Sequence, residues 1–257
     1  MFNRFVQSVC CMSGPKKRTA ARLAGMALLL GALPGCQSIT GTSPVSQVRI
    51  IDASPDAPGL DIYQAGTALA YNLGFGTVTS YVSIGPGIST IAADTAGTKQ
   101  LLSSARGTFA ASSAYTVLVG NVAADLSETI LTDQSGPAPS GDISVRFLDQ
   151  ATRFSTGVDL YLVPKGQTLA TVSPILTNVV FGDNSGYINI PTGTYAVILL
   201  PTGTVPVATT IPIYTGAQVT YGAGAARTLI LLDQQVITDP GFQVITADDY
   251  DSPAVTS

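Results

Sequence analysis

The chain repeats itself, and this constrains its fold more than any other feature. Val48-Arg49-Ile50-Ile51-Asp52 is matched by Val145-Arg146-Phe147-Leu148-Asp149, and Leu60-Asp61-Ile62-Tyr63 by Val158-Asp159-Leu160-Tyr161. Phe75-Gly76 and Tyr81 recur as Phe181-Gly182 and Tyr187, and Gly85-Pro86-Gly87 as Pro191-Thr192-Gly193. The offset drifts from 97 at Val48/Val145 to 106 at Tyr81/Tyr187, as insertions in loops would cause. Two copies of one supersecondary plan are the simplest source of such a pattern.

Each copy reads as short strands. Val48 and Ile50, then Leu60 and Ile62, alternate with their neighbours at a period of two. The β-branched and apolar runs 115–119 and 195–200 suit buried strands. Pro206 and Pro212 make 205–214 at best a broken or edge strand. Turn residues recur every 8–12 positions, and no segment past residue 35 carries a sustained helical stripe. The expected fold is all-β: two tandem Ig-like antiparallel β-sandwiches, at 48–134 and 142–240. The Pro/Gly-rich segment 135–141 is read as a linker with few contacts. Residues 241–257, with Asp248, Asp249 and Asp251, read as a solvated acidic tail.

The first 35 residues read as an export signal. Lys16, Lys17, Arg18 and Arg22 precede an apolar run, 23–33, followed by Leu33-Pro34-Gly35-Cys36. The run is 11 residues, against about 20 for a membrane-spanning helix. Met12 offers an alternative start that places the basic residues near a new N-terminus. Cys36 sits where the lipobox of bacterial lipoproteins carries its lipidated cysteine, although Pro34 replaces the usual small residue. That resemblance implies acylation of Cys36, with residues 36–47 as lipidated start and tether. Gln37 in place of the Asp that retains lipoproteins at the inner membrane implies an outer-membrane protein, facing the periplasm or the exterior.

Removing the leader leaves 222 of the 257 residues and only seven of the 12 Lys and Arg, against all 16 Asp and Glu, for a net charge of −9. Such an acidic surface repels nucleic acid and anionic membrane surfaces, so neither is expected as a partner. The chain has no His, and Cys36 is the one cysteine past the leader. His-based triads, Cys nucleophiles and the common zinc sites are thereby excluded. No cofactor is expected, and no metal.

The segment from Val48 through Ser54-Pro55-Asp56-Ala57-Pro58 to Leu60-Asp61-Ile62-Tyr63 resembles the opening of a secreted bacterial family, domain of unknown function 4397. The family reads Val-Arg, two apolar residues, His-Ala-Ser-Pro-Asp-Ala-Pro, then Val-Asp-Val-Tyr, and often occurs in tandem. Asp52 stands here for the customary His, and 150–154 replaces the motif in the second copy. The resemblance thus implies that any site built on the motif lies in the first copy.

Asp52, Ser54, Asp56 and Asp61 are the candidate ligand-binding residues, since an oxygen-rich loop suits a hard cation or a glycan. The competing reading is turn chemistry, with Ser54 and Asp56 capping amides while Pro55 and Pro58 fix φ, and turn chemistry is favoured. Asp149 and Asp159 recur without the loop motif, which supports a strand-end role. Matched Tyr63/Tyr161 and Tyr81/Tyr187 are expected to serve packing. The expected function is that of a non-catalytic envelope lipoprotein that binds, adheres or supports. The alternatives are a Ca²⁺-dependent carbohydrate-binding module and a hydrolase using carboxylates alone. The membrane, through Cys36, and an envelope protein or glycan are the expected partners.

Overall fold

A computed structural model describes residues 44–234 and 241–251. The leader, Cys36 and most of the tether lie outside the described residues. Among those described, no helix is long and apolar enough to cross a membrane.

Sixteen strands form four sheets of four. In the first copy they are β1 (Ser46–Asp52), β2 (Leu60–Gln64), β3 (Thr67–Leu73), β4 (Val82–Ile84), β5 (Gly87–Thr95), β6 (Gln100–Phe109), β7 (Ala114–Gly120) and β8 (Ser127–Thr132). In the second they are β9 (Asp142–Asp149), β10 (Val158–Pro164), β11 (Leu176–Val179), β12 (Asn184–Pro191), β13 (Gly193–Pro201), β14 (Tyr214–Tyr221), β15 (Ala226–Asp233) and β16 (Phe242–Tyr250). Sheet I has the order β3-β2-β5-β6 and sheet II β4-β1-β7-β8. Sheet III is β12-β9-β15-β16 and sheet IV β11-β10-β13-β14. The two copies have the same topology strand for strand.

The period-two alternation explains the layering. Val48 and Ile50 of β1 and Tyr115, Val117 and Val119 of β7 point into the first sandwich, against Leu60, Ile62 and Ile91 of sheet I. Ile143, Val145, Phe147, Leu229 and Leu231 likewise meet Leu160, Leu162 and Leu199 in the second. The intervening residues are apolar too. Ile51, Leu118 and Leu131 of sheet II form a further core with Leu148, Ile230, Leu232 and Ala247 of sheet III. The molecule is therefore a stack of four sheets, I to IV, whose two inner sheets are covered on both faces. That double burial suits the apolar run 115–119 in β7, whereas the run 195–200 lies in β13 of the outer sheet IV.

Three expectations from the sequence are corrected. The pairing is not wholly antiparallel, because β1 runs parallel to β7 and β9 parallel to β15. The segment read as a tail contains β16, which pairs with β15 along its whole length, from Phe242 opposite Asp233 to Tyr250 opposite Ala226, so the second sandwich runs beyond residue 240. Segment 135–141 is no loose linker, since Ala138 is buried and its N–H donates to the Gly224 carbonyl at 2.9 Å. The described residues form one compact unit. The inner-sheet contact is close. A Cβ on Gly120 would lie 2.4 Å from Oε1 of Gln150, across the sandwich boundary.

Candidate functional site

The outward face of β1 carries Arg49 and that of β9 carries Arg146, so the repeat places two guanidinium groups in the seam between sheets II and III. Both side chains are 2% exposed. A buried guanidinium must have its donors satisfied, and the seam supplies the acceptors. Arg49 donates from Nε to Thr116 Oγ1 at 2.8 Å, from Nη1 to the Asp248 carbonyl at 2.9 Å, and from Nη2 to Asp249 Oδ1. Arg146 donates from Nε to Thr228 Oγ1 at 3.0 Å, from Nη1 to the Thr132 carbonyl at 3.2 Å, and from Nη2 to Asp133 Oδ1 at 2.7 Å.

The pairing is reciprocal. Each arginine takes its carboxylate from the other sandwich and its threonine from its own. Asp133 in turn accepts the hydroxyls of Tyr81 and Thr116 at 2.7 Å, and Asp249 those of Tyr187 at 2.9 Å and Thr228 at 2.7 Å. Each guanidinium lies over the ring of its own copy's tyrosine, 4.9 Å from Tyr81 and 4.8 Å from Tyr187. Burial, and the adjacent Asp133 and Asp249 carboxylates respectively, push both phenols well above the ordinary tyrosine range. The seam has the form of an isologous contact between two copies, held within one chain.

A cleft of about 410 Å³ opens at the edge of this seam, lined by Arg49, residues 78–81 and residues 246–248. Its walls come from both sandwiches. Ser80, Thr246 and Asp248 are exposed within it, and Asp248 pairs with Arg227 Nε at 2.8 Å. The lining supplies hydroxyls, a carboxylate and one edge of a guanidinium group, which suits a neutral, polyhydroxylated ligand more than an apolar one.

The residues singled out in the sequence are not brought together at this cleft. Asp52 ends β1 and its Oδ1 accepts the Ser54 N–H at 3.0 Å. Its carbonyl accepts the N–H of Gly76, whose φ of 75° is left-handed, which ties Phe75-Gly76 to the strand end. Asp149 repeats both contacts, through Ala151 and Gly182, so this is turn chemistry common to the two copies. Asp52 Oδ2, Ser54 Oγ and Asp149 Oδ2 are buried without a hydrogen-bond partner. Burial accordingly raises Asp52 to about 6, against the pull of the Ser54 amide, and raises Asp149 to about 6 as well.

Asp61 accepts the N–H groups of Asn72 and Gly97, both at 2.9 Å, and those amides hold its carboxyl below the usual range. It staples β2 to its neighbours, as Asp159 does through Asn178, Thr202 and Gly203. Asp56 accepts the Ala123 N–H at 2.8 Å on the surface. Among the described residues, no group of three or more His, Cys, Asp or Glu could hold a metal ion. Sequence reasoning missed Asp133 and Asp249. The available signal was an arginine in the middle of an apolar strand at matched positions, which requires a buried carboxylate somewhere.

Residues 46–161 match the family model described as Domain of unknown function (DUF4397). The match spans the first sandwich and ends inside β10. No curated protein matches the chain. Among solved structures, a family 26 carbohydrate-binding module from Eubacterium rectale Amy13K in complex with maltoheptaose is 10% identical. The likeness covers 82% of this chain and 98% of that one, with a TM-score of 0.23. The Bacillus anthracis TIE protein is 9% identical, over 80% of this chain and 44% of its own, with a TM-score of 0.23. A family 41 module from streptococcal virulence factors, titled for alpha-glucan recognition, is 9% identical over 72% and 92%, with a TM-score of 0.22.

Proposed function

We propose that this chain is a non-catalytic lipoprotein of the bacterial outer membrane that binds an envelope glycan in the cleft between its sandwiches. The observation that carries the binding role is the cleft itself: two rigidly joined sandwiches contribute its walls, and Ser80, Thr246 and Asp248 are exposed polar residues there. A non-catalytic role is favoured by where the carboxylates are used. Asp61, Asp159 and Asp233 are engaged by backbone amides, and Asp133 and Asp249 by arginines. Attachment to the membrane rests on the leader and Cys36.

Two measurements separate these parts. A glycan array with the chain from residue 43 is expected to retain polysaccharide, and Ser80→Trp, which fills the cleft from an exposed position, is expected to lose it. Retention by Ser80→Trp, or binding that vanishes with a calcium chelator, would contradict the cleft assignment. Fractionation of Cys36→Ala in the full chain is expected to release the protein from membranes. Persistent tight association would remove the lipoprotein reading and leave the glycan reading standing.

A further inference from the structure

The outer faces of the four-layer stack differ. In the first copy, β2 turns into β3 through residues 65–66, and β5 into β6 through 96–99. In the second copy the same connections are 165–175 and 202–213. These two insertions start from opposite ends of sheet IV and fold over its outer face. They cover Tyr161, Val163 and Leu200 with Leu169 and Val172, and enclose a cleft of about 310 Å³ beside Ile198 and Val207. The canopy leaves its tip uncovered: Val205 is 80% and Ile211 87% exposed, and Val207 is exposed as well. Residues 184–226 contain no Asp, Glu, Lys or Arg in a chain that is otherwise acidic past its leader.

We propose that this canopy is a bilayer-contacting surface, with Val205, Val207 and Ile211 entering the acyl-chain region. Three features point to lipid rather than to protein. The tip has neither the aromatic residues nor the arginine that anchor protein interfaces. Its lack of charge lets it approach a zwitterionic or anionic bilayer without taking a carboxylate into low dielectric, which the acidic remainder of the molecule could not do.

The third feature is that the loop is pinned to the sandwich and to itself by hydrogen bonds. Thr202 N–H donates to the Gly157 carbonyl at 2.8 Å, Gly203 N–H to Asp159 Oδ2 at 3.1 Å and Thr204 N–H to the Pro201 carbonyl at 3.1 Å. Val207 N–H donates to Thr210 Oγ1 at 2.8 Å, Thr210 N–H to the Val207 carbonyl at 3.0 Å and Ile213 N–H to the Leu199 carbonyl at 3.0 Å. The loop is thus a held shape with apolar side chains outward.

The contact needs no lipid on Cys36, so the test uses the chain from residue 43. Vesicles of phosphatidylcholine alone, and of phosphatidylcholine with a minority of phosphatidylglycerol, are floated with wild type, with the double variant Val205→Asp/Ile211→Asp, and with Leu101→Asp. Leu101 is an exposed residue of sheet I and serves as a control. Wild type and Leu101→Asp are expected to float with both vesicles, and the double variant to lose about tenfold or more of its partitioning. Thermal melts should coincide, because the substituted side chains are exposed. Failure of wild type to float, or equal flotation of the double variant, overturns the proposal. Self-association of wild type that the double variant abolishes, without flotation, also overturns it and assigns the patch to a second copy of the chain.

Discussion

Arg49 shows how a single residue can decide an architecture. A guanidinium in the middle of an apolar strand is stable only if a carboxylate and further acceptors meet it, and here the hydrogen-bonded carboxylate of Asp249 and the Asp248 carbonyl come from the neighbouring sandwich. Arg49→Ala and Asp249→Ala are each expected to cost about 3–5 kcal/mol, because each leaves a buried charge without its partner. The double variant should cost clearly less than the sum of the two, and urea unfolding of the cycle measures the coupling. Additive losses would show that the pair does not interact across the seam. Asp52 and Asp149 give a pH signature of the opposite sense to an ordinary salt-bridged carboxylate. Both are raised to about 6, so the folded state holds protons that the unfolded chain, near 3.9, has released. Their relative stabilisation is complete below about pH 4 and is lost as pH rises through about 6, on the order of 1–3 kcal/mol each. The urea midpoint should therefore be higher at pH 4.5 than at pH 7. Asp52→Asn with Asp149→Asn should flatten that dependence, and an unchanged profile would contradict it. Little of this was legible in the sequence. The matched Arg49 and Arg146 were visible as repeat markers, but which carboxylates meet them depends on how two sheets face each other.

At the scale of elements, the all-β character and several strands were readable, because period-two patterns and turn residues are local. β16 was not. Asp248, Asp249 and Asp251 make the end of the chain look like a solvated tail, yet Val244 packs into the second core and Ile245 and Ala247 into the seam. Asp249 is buried because Arg49 is waiting for it, a reason that lies about 200 residues away in sequence. A chain ending at residue 240 would lose the edge of sheet III and half of the ion-pair network. It is expected to be insoluble or to lack a cooperative transition, whereas a chain ending at residue 251 should melt like the full-length protein. Circular dichroism melts decide this, and a cooperative transition at an unchanged temperature in the shorter chain would show β16 to be dispensable. The canopy over sheet IV was also hidden. Val205 to Tyr214 read as a broken strand, yet most of it belongs to one of the two insertions that distinguish the second sandwich from the first.

At the scale of the molecule, the repeat led to an expectation of two domains joined by a loose linker. Sequence periodicity could show that Ile50 and Ile51, or Leu231 and Leu232, are consecutive apolar residues. It could not show that the second face of each strand packs against the other copy. In the four-layer stack, separating the sandwiches would expose Ile51, Leu118, Leu148, Ile230 and Leu232, each contributing about 1.5–3 kcal/mol on burial, and would strand four buried charges. Neither sandwich can be undone without that loss. Differential scanning calorimetry of the chain from residue 43 tests this most directly. A single transition whose calorimetric and van't Hoff enthalpies agree is expected. Two resolved transitions, with Arg49→Ala altering neither their number nor their spacing, would contradict a seam that makes the two sandwiches one cooperative body.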